Sequence, residues 1–148
     1  MEFKTDRARM WGDKRYHSLN YHLRSKYGGK VFKIPLDAGF TCPNRDGALS
    51  SSGCLFCSPR GSGDFAGTRR LNLAQQFAEV KAMMHLKWPQ ARYIAYFQAF
   101  SNTYEHPQRL RELYWQAVVQ PGVVGLAIAT RPDCLPPEVI EVLQEVNQ

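Results

Sequence analysis

The pattern of hydrophobic and polar positions predicts a helix followed by a strand near the start of the chain. Residues 14–27 carry aromatic and leucine side chains near helical spacing, and Gly28 and Gly29 supply a stop. The segment KVFKIPL, residues 30–36, then predicts a strand. Residues 37–70 form a long loop rich in Gly, Ser and Asp. A loop of this length in a compact domain is usually functional or disordered, and the three cysteines in it favour a functional role.

An amphipathic helix and a second strand are predicted after the long loop. Residues 71–87 have helical spacing, with Asn72 as the expected N-cap. The side chains expected on its apolar face are Leu73, Phe77, Val80 and Met84. Residues 92–100, RYIAYFQAF, predict a strand.

The remaining chain predicts a helix, a strand and a final helix. The first of these helices begins at Pro107. It is expected to turn inward Leu110, Leu113, Tyr114 and Ala117. Residues 123–129, VVGLAIA, form a nearly unbroken apolar run, which is typical of a strand buried on both faces. Residues 136–146 predict a last helix with prolines at its start.

Strands and helices therefore alternate after the first helix, which predicts an α/β fold with a parallel sheet. The expected architecture is three parallel βα units preceded by a helix. Three parallel strands cannot close a barrel, and the last predicted helix comes where another strand would follow. We expect the chain to be the N-terminal part of a longer protein, with a minimal three-stranded layer as the alternative.

Composition is that of a globular domain, and charge divides the chain into two parts. The 148 residues are 44% hydrophobic and 22% charged. The apolar runs are too short to cross a membrane and no secretory signal is visible, so we expect a cytoplasmic protein. The net charge is +6, and residues 1–33 alone hold nine bases against three acids.

The basic N-terminal region, taken as residues 1–29, also contains interleaved aromatic side chains and is distinguished from the α/β part, residues 30–148. Phosphate contact and base stacking by such a segment would suit RNA, for example a tRNA. The alternative is a solvated helix face whose aromatic side chains pack on the domain.

Three of the four cysteines, Cys42, Cys54 and Cys57, lie in the long loop after the first strand. In parallel α/β folds the loops beyond the strand ends carry ligands and chemistry. Three thiolates suit a 4Fe-4S cluster that leaves one iron open to a small molecule. A structural zinc site would require a fourth ligand, for which Cys134 is the candidate. A redox pair or buried structural cysteines is the third alternative, and the pattern leaves all three open.

Four segments together resemble one known group of proteins. They are RYHSLNYHLRSKYGGKVFKIPLDAGFTCPNRDG, GCLFCSPRGSGDFAG, YFQAFSNTY and ATRPDCLP. The likeness is to the elongator-like branch of the radical S-adenosylmethionine (SAM) superfamily, and more closely to its little-characterised bacterial YhcC-type members. It runs from about Tyr16 to the C-terminus. Eleven residues separate Cys42 from Cys54, a departure from the usual superfamily motif that this branch shares.

The resemblance implies a partial (β/α)6 barrel of which this chain would be the N-terminal half, truncated after the third βα unit. Cys42, Cys54 and Cys57 would bind a 4Fe-4S cluster, whose open iron would bind SAM. One-electron reduction by a donor such as flavodoxin or ferredoxin would cleave SAM to methionine and a 5′-deoxyadenosyl radical. No catalytic acid or base is identified by the sequence.

The resemblance also suggests which other side chains would contact SAM. Phe56 would lie against the adenine. The polar candidates after the second and third strands are Gln98, Asn102, Thr103, Arg131 and Asp133. A loop ion pair and a helix cap are the alternative roles for Arg131 and Asp133.

Two other functions remain open at the level of sequence. One is a non-catalytic, zinc-binding RNA-interaction module, which would require Cys134. The other is an inactive truncated fragment, because later strands that complete the SAM site would be missing.

Overall fold

The computed structural model describes residues 11–12 and 14–148. The first ten residues of the basic N-terminal region, and residue 13, therefore lie outside the described residues. The described residues form four α-helices, three strands and one 3-10 turn. In chain order these are α1 (Leu19–Tyr27), β1 (Val31–Leu36), α2 (Leu73–His85), β2 (Arg92–Phe97), α3 (Pro107–Val118), β3 (Val123–Ile128), the turn Pro132–Cys134 and α4 (Pro137–Val146). None of the helices in the described residues has the length and the apolar composition of a membrane-spanning segment.

The three strands form one open parallel sheet in the order β1-β2-β3. The expected α/β class and parallel sheet are therefore confirmed. Neighbouring strands are also consecutive along the chain, each pair joined through a helix, as parallel pairing requires. The carboxyl ends of all three strands consequently lie at one edge of the sheet.

Helix α1 is shorter at its start than the sequence predicted. Its N-cap is Ser18, whose Oγ accepts a hydrogen bond from the Tyr21 amide at 3.1 Å. Gly28 ends the helix in the left-handed conformation (φ +72°), as expected of a glycine stop. The predicted start at residue 14 is wrong, because the cap fixes the first turn at Leu19, and Tyr16 lies before the helix with 63% of its surface exposed.

Helices α2 and α3 begin where the sequence predicted. Asn72 caps α2 in a reciprocal capping box with Gln75. The four inward positions predicted for α3 are all buried: Leu110, Leu113, Tyr114 and Ala117. On α2 the buried positions are Leu73, Phe77 and the polar Gln76, while Val80 and Met84 are half-buried.

The core lies between one face of the sheet and the helices α2, α3 and α4. Alternate β2 residues Tyr93, Ala95 and Phe97 are at most 1% exposed, and Ile94 and Tyr96 between them are half-buried. This period of two places one face of β2 in the core and leaves the other face less covered.

The prediction that β3 is buried on both faces is wrong. All six of its residues are half-buried, because among the described residues β3 lies at the edge of the sheet and only β2 pairs with it. The pairing with β2 also contains an irregularity. Tyr93 pairs with Val123 and Ile94 pairs with Gly125, so Val124 has no opposite residue, as in a β-bulge.

Candidate functional site

A cavity of about 320 Å³ lies at the carboxyl-terminal edge of the sheet, between the long loop and the segments that follow β2 and β3. Six of the residues predicted for the site line it: Cys42, Cys54, Cys57, Phe56, Gln98 and Arg131. The three cysteines are free thiols. The fold thus brings to one cavity side chains that are up to 89 residues apart in sequence.

Each of the three sulfur atoms has a polar neighbour. Asn44 Nδ2 donates to Cys54 Sγ at 3.1 Å, and Ser101 Oγ donates to Cys42 Sγ at 3.3 Å. The hydroxyl of Ser62 lies 3.4 Å from Cys57 Sγ. The thiolate is the form of cysteine that binds metals, and metal-binding side chains usually have polar neighbours of this kind.

Hydrogen-bond donors and a guanidinium lie beside the thiol of Cys42. Burial alone would raise its pKa, but hydrogen bonds from the Ser101 hydroxyl and the Asn44 backbone, together with the Arg131 guanidinium, outweigh burial. The pKa of Cys42 therefore lies below its ordinary value. Arg131 Nη1 is 4.0 Å from the Cys42 sulfur, so the cation and the thiolate stabilise one another.

The loop that carries the cysteines is held together by Arg45. Its guanidinium donates to three successive backbone carbonyls, those of Cys57, Ser58 and Pro59, at 3.3, 2.6 and 3.3 Å. Backbone hydrogen bonds from the Arg45 and Asp46 amides to the Cys42 carbonyl make a tight turn on the other side. Arg45 consequently ties the turn after Cys42 to the segment after Cys57.

A buried network fixes the beginning of the same loop. Gln76 on α2 accepts from the Asp37 amide and donates to the Asp37 carbonyl, both at 2.9 Å, and it also donates to the Leu71 carbonyl at 2.9 Å. Arg69 Nε lies 3.2 Å from the Asp37 carboxylate, and Arg69 Nη2 donates to the Phe40 carbonyl. The start of the loop, at Asp37 and Phe40, is thereby joined to its end, at Arg69 and Leu71.

The predicted residues Asn102 and Thr103 do not line the cavity. Both are buried, and Asn102 Nδ2 donates to the Ala129 carbonyl at 2.8 Å. Thr103 Oγ1 hydrogen-bonds to Thr130 Oγ1 and to the Cys134 carbonyl. In the described structure these two side chains join the segments that follow β2 and β3.

Asp133 forms a bidentate ion pair with Arg131, at 2.9 and 2.6 Å, and it lines a neighbouring cavity. The hydrogen bond from Arg131 holds the pKa of the Asp133 carboxyl below its ordinary value. The loop ion pair that the sequence left open is therefore present, and it orients a guanidinium that contacts Cys42.

Cys134 is separate from the three-cysteine cavity. It is buried, lines the neighbouring cavity beside Asp133, and has a raised pKa, mainly because of burial. Among the described residues, no three His, Cys, Asp or Glu side chains are grouped closely enough to hold a single metal ion.

The sequence interpretation missed the residues that hold the loop in place: Arg45, Arg69, Gln76, Phe100 and Ser101. One signal was available for Gln76, since it stands between Leu73 and Phe77 on the apolar side of a predicted helix. The others act through contacts between segments distant in sequence, which no local pattern displays.

Comparison with known proteins finds relatives without an assigned activity. The chain is 55% identical over 136 residues to the uncharacterized protein YtqA of Bacillus subtilis, covering 92% of this chain and 42% of that protein. It is 43% identical over 123 residues to protein YhcC of Escherichia coli, covering 83% and 38%. It is 32% identical over 127 residues to the uncharacterized protein MJ0486 of Methanocaldococcus jannaschii, covering 84% and 38%. The chain spans about two fifths of the length of these relatives.

These comparisons correct the expectation that the chain is a member of the radical SAM superfamily. No protein-family model matches the chain, and no solved structure matches it. None of the three relatives carries a name that indicates that superfamily. The chain is thus similar to three proteins whose names state no activity.

Proposed function

We propose that the three-cysteine cavity binds a 4Fe-4S cluster through Cys42, Cys54 and Cys57 and that the protein is a SAM-dependent redox enzyme. The observation that carries the proposal is the lining of one cavity by three free thiols. The donor set fits the group, because thiolates are the usual ligands of iron–sulfur clusters and each of these sulfurs has a polar neighbour. A cluster spreads its ligands over separate iron atoms, so they need not converge on one point.

SAM suits the remainder of the cavity. The lining combines Phe56, Tyr96 and Phe100 with the amide of Gln98 and the guanidinium of Arg131. An adenine can stack on an aromatic side chain, and a carboxylate can pair with a guanidinium. When bound, the cluster would supply one electron to the sulfonium of SAM, giving methionine and a 5′-deoxyadenosyl radical.

This chain's own residues would bind and orient these groups. Asn44, Ser62 and Ser101 would hydrogen-bond the thiolates, and Arg131, held in place by Asp133, would add a positive charge beside Cys42. The proposal includes a reducing, cytoplasmic location, because thiolate ligands must remain reduced, and an electron donor such as flavodoxin or ferredoxin.

The test is anaerobic reconstitution with iron and sulfide, followed by iron counting and EPR of the reduced protein with and without SAM. Cys42→Ala, Cys54→Ala and Cys57→Ala are each expected to lose the cluster signal, whereas Cys134→Ala, a cysteine outside the cavity, should keep it. SAM should perturb the EPR signal of the unsubstituted protein.

Zinc in place of iron, with a requirement for Cys134, would overturn the proposal in favour of a zinc-binding module. A cluster that forms but does not respond to SAM would overturn the assignment of the ligand.

The three parallel strands also support a proposal about architecture, that they are the first part of a partial (β/α)6 barrel. The sequential strand order and the larger size of the relatives are both in keeping with it. On this proposal residues 30–148 would be the barrel portion, and activity would be a property of the longer protein.

RNA is the proposed substrate class, with tRNA as the probe. Arg15, Arg24 and Lys26 are all exposed, the last two in the final turn of α1. That turn lies at the edge where the strands begin, because Tyr27 reaches Val124 near the start of β3. A six-residue strand spans about 20 Å. A polynucleotide is long enough to contact both these cations and the cavity at the opposite edge.

The RNA proposal is tested by tRNA affinity measured across a salt series. Arg15→Glu and Arg24→Glu should weaken binding, and each lost phosphate contact should reduce the slope of log K against log salt by about 0.7–0.9. Arg109→Glu, an exposed position on α3, serves as the control. Affinity that is independent of salt, or equal in all variants, contradicts the proposal.

A further inference from the structure

Phe100 has a backbone conformation that non-glycine residues rarely adopt. Its φ is +65°, in the left-handed region, and it lies in the segment that follows β2, after Gln98 and Ala99. Such a conformation persists only where the surroundings determine it, and strained residues of this kind cluster at functional sites. The ring of Phe100 lines the three-cysteine cavity.

The ring contacts both arginines that hold the cysteine loop. The guanidinium carbon of Arg45 lies 5.6 Å from the ring centroid, and that of Arg69 lies 5.2 Å from it, within the range of cation–π attraction. Arg45 is bonded to the carbonyls of residues 57–59, and Arg69 to Asp37 and the Phe40 carbonyl. One ring thus connects the cations that fix the two sides of the loop.

The backbone of Phe100 makes a second connection to the same loop. Its amide donates to the Gly61 carbonyl at 2.9 Å. A Cβ on Gly61 would lie 2.5 Å from the Phe100 ring, so the ring packs directly against this backbone. The next residue, Ser101, donates its amide to the Thr41 carbonyl and its hydroxyl to Cys42 Sγ.

We propose that Phe100 is a positioning residue that holds the Cys42 and Cys57 segments in fixed relation across the cavity. The inference deepens the proposed function, since it rests on these cysteines acting as one ligand set. Phe100 acts through Arg45, Arg69 and Gly61 and does not itself bind the cluster. Removing the ring takes away its contacts with Arg45, Arg69 and Gly61, so the two segments should be held less firmly, while every cysteine stays in the chain.

The test compares Phe100→Leu with Phe100→Tyr, which keeps the ring, and with Phe65→Leu, an exposed aromatic on the same loop. Iron retention is followed after addition of a chelator to the reconstituted protein. Phe100→Leu should lose iron roughly tenfold faster, the effect typical of removing a residue that supports metal ligands. Phe100→Tyr and Phe65→Leu should behave like the unsubstituted protein.

A second readout does not require the cluster. In the metal-free protein, Phe100→Leu should make Cys57 react faster with iodoacetamide, measured by mass spectrometry of each thiol, with Cys134 unchanged. Arg45→Met should act in the same direction, because it cuts the connection between the ring and the Cys57 segment without altering the strained backbone.

Unchanged iron retention and unchanged Cys57 labelling in Phe100→Leu would overturn the inference, as would loss of iron retention in Phe100→Tyr. Failure of the unsubstituted protein to take up iron would instead overturn the proposed function. In that case the labelling rates still decide whether Phe100 positions the loop.

Discussion

The hydroxyl of Tyr27 donates a hydrogen bond to the backbone carbonyl of Val124 at 3.1 Å, across 97 positions of sequence. Val124 is the residue that the β2–β3 pairing leaves without an opposite partner. The last residue of α1 therefore satisfies a carbonyl at the irregular point of β3, and connects the N-terminal helix to the edge of the sheet.

Substituting Tyr27 by Phe should weaken this connection. Loss of one partly buried hydrogen bond is expected to lower the free energy of unfolding by about 1 kcal/mol. Urea unfolding of Tyr27→Phe measures the change, and Tyr16→Phe, which alters an exposed hydroxyl before α1, is the matched control. Equal stability of the two variants would contradict a role for the Tyr27 hydroxyl.

The buried amide of Gln76 is expected to be the most sensitive polar side chain on α2. Gln76→Leu would leave the amide and carbonyl of Asp37 and the carbonyl of Leu71 without this partner. At about 1 kcal/mol or more for each buried group left unsatisfied, the loss should be about 3 kcal/mol. Urea unfolding tests it.

Gln116→Leu, on the exposed side of α3, is the control for that experiment and should change stability by less than about 0.5 kcal/mol. Similar losses in the two variants would show that the Asp37 contacts contribute little.

Gly28 and Gly61 both have a positive φ, but only at Gly61 would an added Cβ overlap a neighbouring side chain. At Gly28 (φ +72°) nothing lies within 4 Å of the position that a Cβ would occupy, whereas at Gly61 (φ +62°) that position lies 2.5 Å from the Phe100 ring. Gly28→Ala should cost roughly 1–2 kcal/mol from the left-handed conformation alone. Gly61→Ala should cost about 1–3 kcal/mol more from overpacking. Thermal and urea unfolding compare them, and equal losses would argue against tight packing of Gly61 on Phe100.

The ion pair between Arg111 on α3 and Glu145 on α4 predicts a pH dependence of stability. Arg111 Nε lies 2.6 Å from Glu145 Oε2, and this hydrogen bond lowers the pKa of the Glu145 carboxyl below its ordinary value. The folded state then binds the proton less tightly than the unfolded state does. The pair stabilises the fold above the unfolded pKa, and the stabilisation is lost as pH falls through the folded pKa.

Urea unfolding at pH 6 and at about pH 3 measures this effect. Glu145→Gln should show a smaller loss of stability on acidification than the unsubstituted protein, and Glu141→Gln, an exposed position on the same helix, should not. An unchanged acid dependence in Glu145→Gln would contradict the prediction.

Much of the fold could be predicted because its signals are local. Helical spacing and Asn72 identified α2, and Pro107 with four apolar positions identified α3. The burial of β3 could not be predicted in the same way. An apolar run shows that a strand is suited to burial on both faces. Whether β3 is covered on both faces also depends on which other strands lie beside it, and among the described residues it lies at the edge of the sheet.

The sequence by itself determined the alternation of strands and helices, and the position of three cysteines in one loop after the first strand. Only the tertiary structure decided which side chains share the cavity. Arg131 lies beside Cys42, whereas Asn102 and Thr103 are used in contacts between segments. Cys134 lines a neighbouring cavity. The reason is physical. Helix caps and periodicity depend on neighbours a few residues away, whereas a cavity depends on hydrogen bonds and packing between residues tens of positions apart.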